Sequence, residues 1–407
     1  MPETGPDGAD RFADVLLAGP WQRAAAEVRL ARSQGLILSP PDAVALAAAA
    51  VRRFVEPPPR AELVAFLRAS PGLLDPRFDP AQLCRVLAVD QGELSWFADR
   101  QQRSRRAGSV LQHYRWRALP KRGGVRIVAA PKPRLKEIQR RLLTRLTTGL
   151  PLHESAHGGV VGRSVTTALA PHAGAQVLIR LDLESFFPTV SASRVRGLLE
   201  AVGAAPEVAG VVTGLCTAAV PIAFWRDLPG PRDPHLLDAH WRLGERLRQP
   251  HLPQGAPTSG YLANAVTYGL DRRLAGLARR FGGTYTRYVD DLIFSGDGFL
   301  KTHRHRFVDA ATAVVADEGF AVAGRKTAVL THAGRLGVLG AVVNVRPALP
   351  RPERDRLRAI VHNCVVRGPA GEGVTRDHLR GRIAAAAALD PRFGAKLMAR
   401  FDEIDWR

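Results

Sequence analysis

Residues 284–295 read Thr-Tyr-Thr-Arg-Tyr-Val-Asp-Asp-Leu-Ile-Phe-Ser. Thr284–Tyr288 and Leu292–Ser295 are rich in β-branched and aromatic residues and meet at Asp290-Asp291, so the spacing predicts two strands joined by an acidic turn. Further toward the N-terminus, Val177-Leu178-Ile179-Arg180-Leu181 is a short apolar run of the kind that forms a buried strand, and it ends at Asp182. Carboxylates are the hard oxygen donors that Mg²⁺ requires. A two-metal phosphoryl-transfer site needs several of them on rigid elements a few ångströms apart. An Asp at a strand end and an Asp pair in a tight hairpin supply that set if the hairpin lies beside the strand. Taken singly, each has a plainer reading: a solvated turn for Asp290-Asp291, a cap or turn residue for Asp182.

The surrounding composition narrows the partner. The chain has 407 residues, 46% of them hydrophobic, and a net charge of +20 from 58 Lys+Arg against 38 Asp+Glu. Apolar content of that order supports a real core, and so large a basic excess points to a polyanion, most often nucleic acid. Residues 1–80 hold nine Arg and ten Asp/Glu, so the excess lies wholly in residues 81–407. Only six of the cations are Lys, at 121, 132, 136, 301, 326 and 396. In a chain that writes Arg by default, a retained Lys can mark a place where a compact ammonium able to release a proton is wanted, although Lys301 and Lys396 have no such role. Cys84, Cys216 and Cys364 form no C-x-x-C, which argues against a zinc site or disulfide framework and suits a reducing cytosol. The apolar runs Ala43–Val51 and Ile383–Leu389 are too short to span a bilayer, and no signal peptide is read, so no membrane partner is expected.

Local patterns extend the picture. Residues 1–80 read as short helices joined by Pro-rich turns, and Ala81–Arg106 as a helix leading into a basic stretch. Trp116–Leu119 and Val125–Ala129 flank Lys121-Arg122-Gly123-Gly124, a basic hairpin signal. Helices are expected over Leu135–Leu150, Arg194–Val202, Ser259–Arg280 and His305–Glu318, with a Pro- and charge-rich connector over Arg226–Pro250. A strand is expected over Phe320–Ala323, a strand pair around Val338–Val345, and helix from 351 to the end.

Together these segments resemble a reverse transcriptase. The aromatic-x-Asp-Asp box is Tyr288-Val289-Asp290-Asp291, and the Asp-x-x-x-aromatic-aromatic box runs from Asp182 to Phe187. A third box, Leu252-Pro253-Gln254-Gly255-Ala256-Pro257-Thr258-Ser259, stands between them in the family's order. The resemblance covers about Gln112 to the C-terminus and implies an α+β, right-handed polymerase fold. Its domains would be a helical extension (1–80), fingers and palm (81–350) and a short helical thumb (351–407). It further implies two Mg²⁺ held by Asp182, Leu183, Asp290 and Asp291, and Lys121 and Arg126 on the incoming dNTP triphosphate. Arg163, in the segment His157–Ser164, would contact phosphate or template. Phe187 would be the gate against a 2′-hydroxyl, with Gln254 and Gly255 in the nucleotide pocket and Lys326 protonating the leaving pyrophosphate.

The compact length and thumb pattern, with Leu379-Arg380-Gly381-Arg382-Ile383 and the closing Ile404-Asp405-Trp406, are similar to bacterial retron-type enzymes. That kinship implies a cytoplasmic enzyme with a structured noncoding RNA as template and primer, an RNA–DNA duplex product, and an effector protein in antiphage defence. Two departures stand out. The family's Asn-Ala-x-x-His is Ala168-Leu169-Ala170-Pro171-His172, and its Val-Thr-Gly is Val338-Leu339-Gly340. A defence-associated reverse transcriptase outside the retrons, or a non-catalytic RNA-binding protein on the same fold, remains open at this level.

Overall fold

A computed structural model describes residues 77–406, save 122, 123, 148 and 232. The extension expected over 1–80 therefore lies outside the described residues up to 76. The first described strands, β1 (Tyr114–Lys121) and β2 (Gly124–Pro131), form the antiparallel basic hairpin and close on the pair Lys121–Gly124.

The centre is a four-stranded antiparallel sheet of β3 (Val177–Asp182), β4 (Gly283–Tyr288), β5 (Asp291–Gly296) and β6 (Ala328–Thr331), in the order β4-β5-β3-β6. β3 is central and covered on both faces, which is why it reads as a nearly unbroken apolar run rather than an alternating one. On one face Val177, Ile179 and Leu181 pack with Leu292 and Phe294, Leu270 and Leu274 of helix Tyr268–Arg280, and Phe307 and Val314 of helix Arg304–Asp317. Each fully buried Leu or Phe in this layer contributes roughly 1.5–3 kcal/mol. On the other face Leu178 and Ile293 meet Leu169, Leu336, Val338, Ala341 and Val343. Part of that cover comes from the small hairpin β7 (Gly337–Val338) and β8 (Ala341–Val342).

Several expectations are corrected. The helix over 81–106 is two, Pro80–Leu87 and Gln91–Ala98, separated by Ala88 in left-handed backbone and by Asp90, whose side chain caps the second. The helix over 259–280 breaks at Thr267, whose hydroxyl donates back to the carbonyls of Ala263 and Asn264. The helix expected over 135–150 runs Pro133–Leu146. The connector Arg226–Pro250 contains a twelve-residue helix, Leu237–Arg248, because Leu243 and Leu247 at i, i+4 give it a face that packs on Ile127 and Val220. The strand expected at Phe320–Ala323 is reduced to one bridge between Leu183 and Val322, and the edge position of the sheet is taken by β6.

Residues 351–406 fold as three α-helices, Arg351–Arg367, Arg376–Leu389 and Pro391–Phe401, around their own core of Leu357, Val361, Leu379, Ile383, Phe393, Leu397 and Phe401. The last two cross so closely that a Cβ on Gly394 would lie 2.2 Å from that of Ala387. Among the described residues no helix is long and apolar enough to cross a membrane.

Candidate active site

The sheet register brings the three acidic residues together. Asp182, the last residue of β3, is the cross-strand partner of Asp291, the first of β5, and Asp290 stands in the two-residue turn before it. Like charges directly opposite on a sheet oppose pairing. Burial, with Asp182 adding, raises the pKa of Asp290 above the usual carboxylate value. Burial, then Asp290 and Asp182, pushes Asp291 up to about 6. Two cations contact the set directly: Arg180 Nε lies 3.9 Å from Asp291, and Lys326 Nζ donates to both oxygens of Asp182 at 2.7 Å.

Among the described residues no three acidic, imidazole or thiol groups converge on one point at ligand distance, and the cation that Asp182 holds is Lys326. The donor set nevertheless fits hard divalent cations. Its oxygens are carboxylate, its excess charge is negative, and an ammonium already sits against one member.

These groups line one cleft of about 650 Å³ with Lys121, Arg126, Leu183, Phe187 and Gln254. The Lys121 ammonium is solvent-accessible, yet the protein packed about it lowers its pKa from the usual lysine value. Lys326 and Arg126 push the same way, while Asp182 and Asp290 oppose them. Phe186 is buried and Phe187 only half-buried, their rings 5.5 Å apart; both border the cleft, Phe187 with the more exposed ring. Gln254 docks on the basic hairpin, its carbonyl accepting from Ala129 N–H at 2.8 Å. Gly255 lies behind the cleft wall at φ +121°, and a Cβ there would come within 3.0 Å of the Ala129 carbonyl, so glycine permits that crossing.

Arg163 is not brought to the cleft. Its Nη1 donates to the carbonyls of His153, Glu154 and Ala156 and ties down its own loop. His172 is fully buried, its ring nitrogens against the hydroxyls of Ser295 and Thr286 at 2.7 Å, and so braces β4 and β5. Sequence reasoning missed a further part of the cleft wall, where His235, Asp238, His240 and Arg242 of the connector line it. Arg242 and Arg246 of its helix pair with Glu184, at 3.5 and 3.1 Å. The apolar spacing of Leu243 and Leu247 was the available signal for that helix.

Residues 119–343 match the family model described as "Reverse transcriptase (RNA-dependent DNA polymerase)". The chain is 43% identical over 321 residues to the Retron Mx65 reverse transcriptase of Myxococcus xanthus, covering 77% of this chain and 69% of that one. To the Retron Mx162 reverse transcriptase of the same organism it is 35% identical over 339 residues, covering 79% and 66%. It thus spans about two thirds of the length of each. A solved telomerase from Candida tropicalis, in complex with a fragment of telomeric RNA, matches at 11% identity and a TM-score of 0.34, covering 71% of this chain and 54% of that one. That likeness is too slight to add to the fold already described. With the family model over more than half the chain and close kinship to retron enzymes, the chain belongs to the retron-type reverse transcriptases and is an RNA-directed DNA polymerase.

Proposed function

We propose that this polymerase copies a dedicated structured noncoding RNA into DNA in the bacterial cytoplasm and acts with an effector protein in antiphage defence. The observation that carries the reading is one cleft that holds Asp182, Asp290 and Asp291 together with a cationic hairpin and a half-buried phenylalanine. Residues 81–350 serve as fingers and palm. Residues 351–407 serve as the thumb, where Arg358, His362 and Arg400 line a shallow groove suited to the backbone of an RNA–DNA duplex.

In this reading the dNTP enters with its triphosphate toward Lys121 and Arg126, which bind it by charge and hydrogen bonds. Gln254 lines the nucleotide pocket. Two Mg²⁺, when bound by Asp182, Asp290, Asp291 and the main-chain carbonyl of Leu183, supply Lewis-acid charge at the primer hydroxyl and at the leaving pyrophosphate. Lys326 leaves Asp182 and delivers its proton to a pyrophosphate oxygen.

Phe187 packs against the sugar C2′ and leaves no room for a hydroxyl. Phe187→Ala should lower dNTP-over-rNTP selectivity by on the order of 10²-fold, measured as the ratio of kcat/KM for the two nucleotides. Parental selectivity in the variant would remove the gate assignment.

Expression of the gene with its flanking DNA should yield branched, RNA-linked DNA, and purified protein with Mg²⁺ should incorporate dNTPs on an RNA template. A locus that encodes no foldable RNA and yields no such product would overturn the dedicated template and leave the polymerase activity standing.

A further inference from the structure

Arg287 and Asp271 form a pair in which both side chains are fully buried. Arg287 is on β4, two residues before the acidic turn, and Asp271 is on helix Tyr268–Arg280. Nε donates to Asp271 Oδ1 at 2.8 Å and Nη2 to Oδ2 at 2.6 Å. Nη2 also donates to Thr267 Oγ1 at 2.8 Å. Nη1 donates to Asn264 Oδ1 and to the carbonyl of Val289, each at 2.9 Å. All five N–H donors of the guanidinium therefore have acceptors, and one of those acceptors is the main chain of the acidic turn.

That turn needs holding. Val289 is at φ +59°, a region disfavoured for L-residues and most of all for β-branched ones. Asn264 Nδ2 donates to the carbonyl of Gly158 at 2.8 Å, and Gly158 lies so close beneath the turn that a Cβ there would be 2.5 Å from Val289 Cγ2. The Asp290 carbonyl accepts from Leu183 N–H at 2.9 Å, which links the turn to the end of β3. The Arg287 guanidinium also lies 5.7 Å from the centre of the Phe186 ring, which in turn abuts Phe187.

We infer that Arg287, oriented by Asp271, is the positioning residue of the polymerase centre: it fixes the left-handed Val289 and so aims the Asp290 and Asp291 carboxylates for metal binding and nucleotidyl transfer. The inference rests on Asp290 and Asp291 being the reacting carboxylates. A lysine at 287 would keep the charge beside Asp271 but lacks the planar fork that reaches Val289 at the same time. An ion pair kept for stability alone has little reason to be charged, since a well-packed apolar pair serves as well.

The test compares four forms of the full chain: parent, Arg287→Lys, Arg287→Met combined with Asp271→Leu, and Arg273→Lys. The double variant removes the pair without stranding a buried charge. Arg273, on the same helix as Asp271, is a second largely enclosed cation, paired with Asp317 and Glu318 at the end of helix Arg304–Asp317, and serves as the fold-only control. In single-turnover primer extension the amplitude counts folded enzyme, and the rate constant reports the site.

Both Arg287 forms should lose about 10–100-fold in rate constant. Their Mn²⁺ affinity, read by electron paramagnetic resonance without nucleotide, should fall by a similar factor. Arg273→Lys should change amplitude only. Adding Val289→Gly to Arg287→Lys should recover part of the loss, because glycine holds the left-handed turn unaided. A parental rate constant on the active fraction, unchanged Mn²⁺ affinity, or absence of folded protein in both Arg287 forms would overturn the inference. Activity surviving in Asp290→Ala with Asp291→Ala would instead remove the assignment beneath it.

Discussion

Asp290→Ala combined with Asp291→Ala should lower dNTP incorporation on an RNA template by roughly 10³-fold or more, while Asp291→Asn should make the metal-free protein more stable at neutral pH. The first effect follows from removing two of the three carboxylates that meet at the end of β3. The second follows from the sign of the pKa shift. Asp291 is pushed up to about 6 by burial and by its acidic neighbours, against an unperturbed value near 3.8. A carboxyl raised on folding favours the native state while it is protonated. That contribution is complete below about pH 3.8 and is lost as pH rises through about 6.

Above pH 6 the native state carries an ionised group that it disfavours. A rise from 3.8 to about 6 corresponds to about 3 kcal/mol at most, and because Asp290 and Asp182 share the repulsion, removing one charge should recover roughly 1–2 kcal/mol. Urea unfolding with EDTA should therefore separate Asp291→Asn from the parent at pH 7.5 and bring the two together near pH 4. Adding Mg²⁺ should narrow the gap at pH 7.5 by stabilising the parent alone. Incorporation by the double alanine variant equal to the parent's would sink the site assignment. A stability difference independent of pH would sink the electrostatic account.

The same residues show where sequence reading succeeds and where it stops. The acidic hairpin and the buried strand were legible because each is local: β-rich runs bounded by a two-residue turn, and an apolar run ending in Asp182. Their meeting was not local. The pairing of Asp182 with Asp291 is a register between distant strands, and it entered the sequence reading only through the order of the three boxes.

Composition misled at the connector, where prolines and charges masked the two leucines that seat helix Leu237–Arg248. At Arg163 composition did not decide, since a cation in a Gly-rich loop reads the same whether it reaches a phosphate or the loop's own carbonyls, and its Nη1 reaches the carbonyls. Arg287 was the least visible. In β4 it stands among three consecutive buried residues, 285–287, and its partner lies on a helix 16 residues earlier. The one clue was Asp271 standing beside Leu270 and Leu274 on the buried side of that helix.

Lys326→Met should slow nucleotidyl transfer by about 10²–10⁴-fold, the usual contribution of a positioned general acid. Lys326 closes the short 3₁₀ turn Gly324–Lys326, and its half-exposed side chain spans to both oxygens of Asp182. In the metal-free protein its ammonium neutralises a carboxylate, and in the proposed role the same group turns to the pyrophosphate during the reaction. The two roles separate experimentally. Loss of the ion pair costs little stability, roughly 1 kcal/mol or less, because the lysine is half in solvent. Loss of the proton donor changes how the rate depends on the leaving group. With dNTPs whose β,γ-bridging oxygen is replaced by CF₂ or CH₂, the parent should show a shallow dependence on leaving-group basicity and Lys326→Met a steep one. Lys326→Arg completes the argument, since arginine keeps the charge but does not release a proton near neutral pH. If Lys326 acts only by charge, Lys326→Arg restores the parental rate and the shallow dependence; if it acts as an acid, Lys326→Arg behaves as Lys326→Met does.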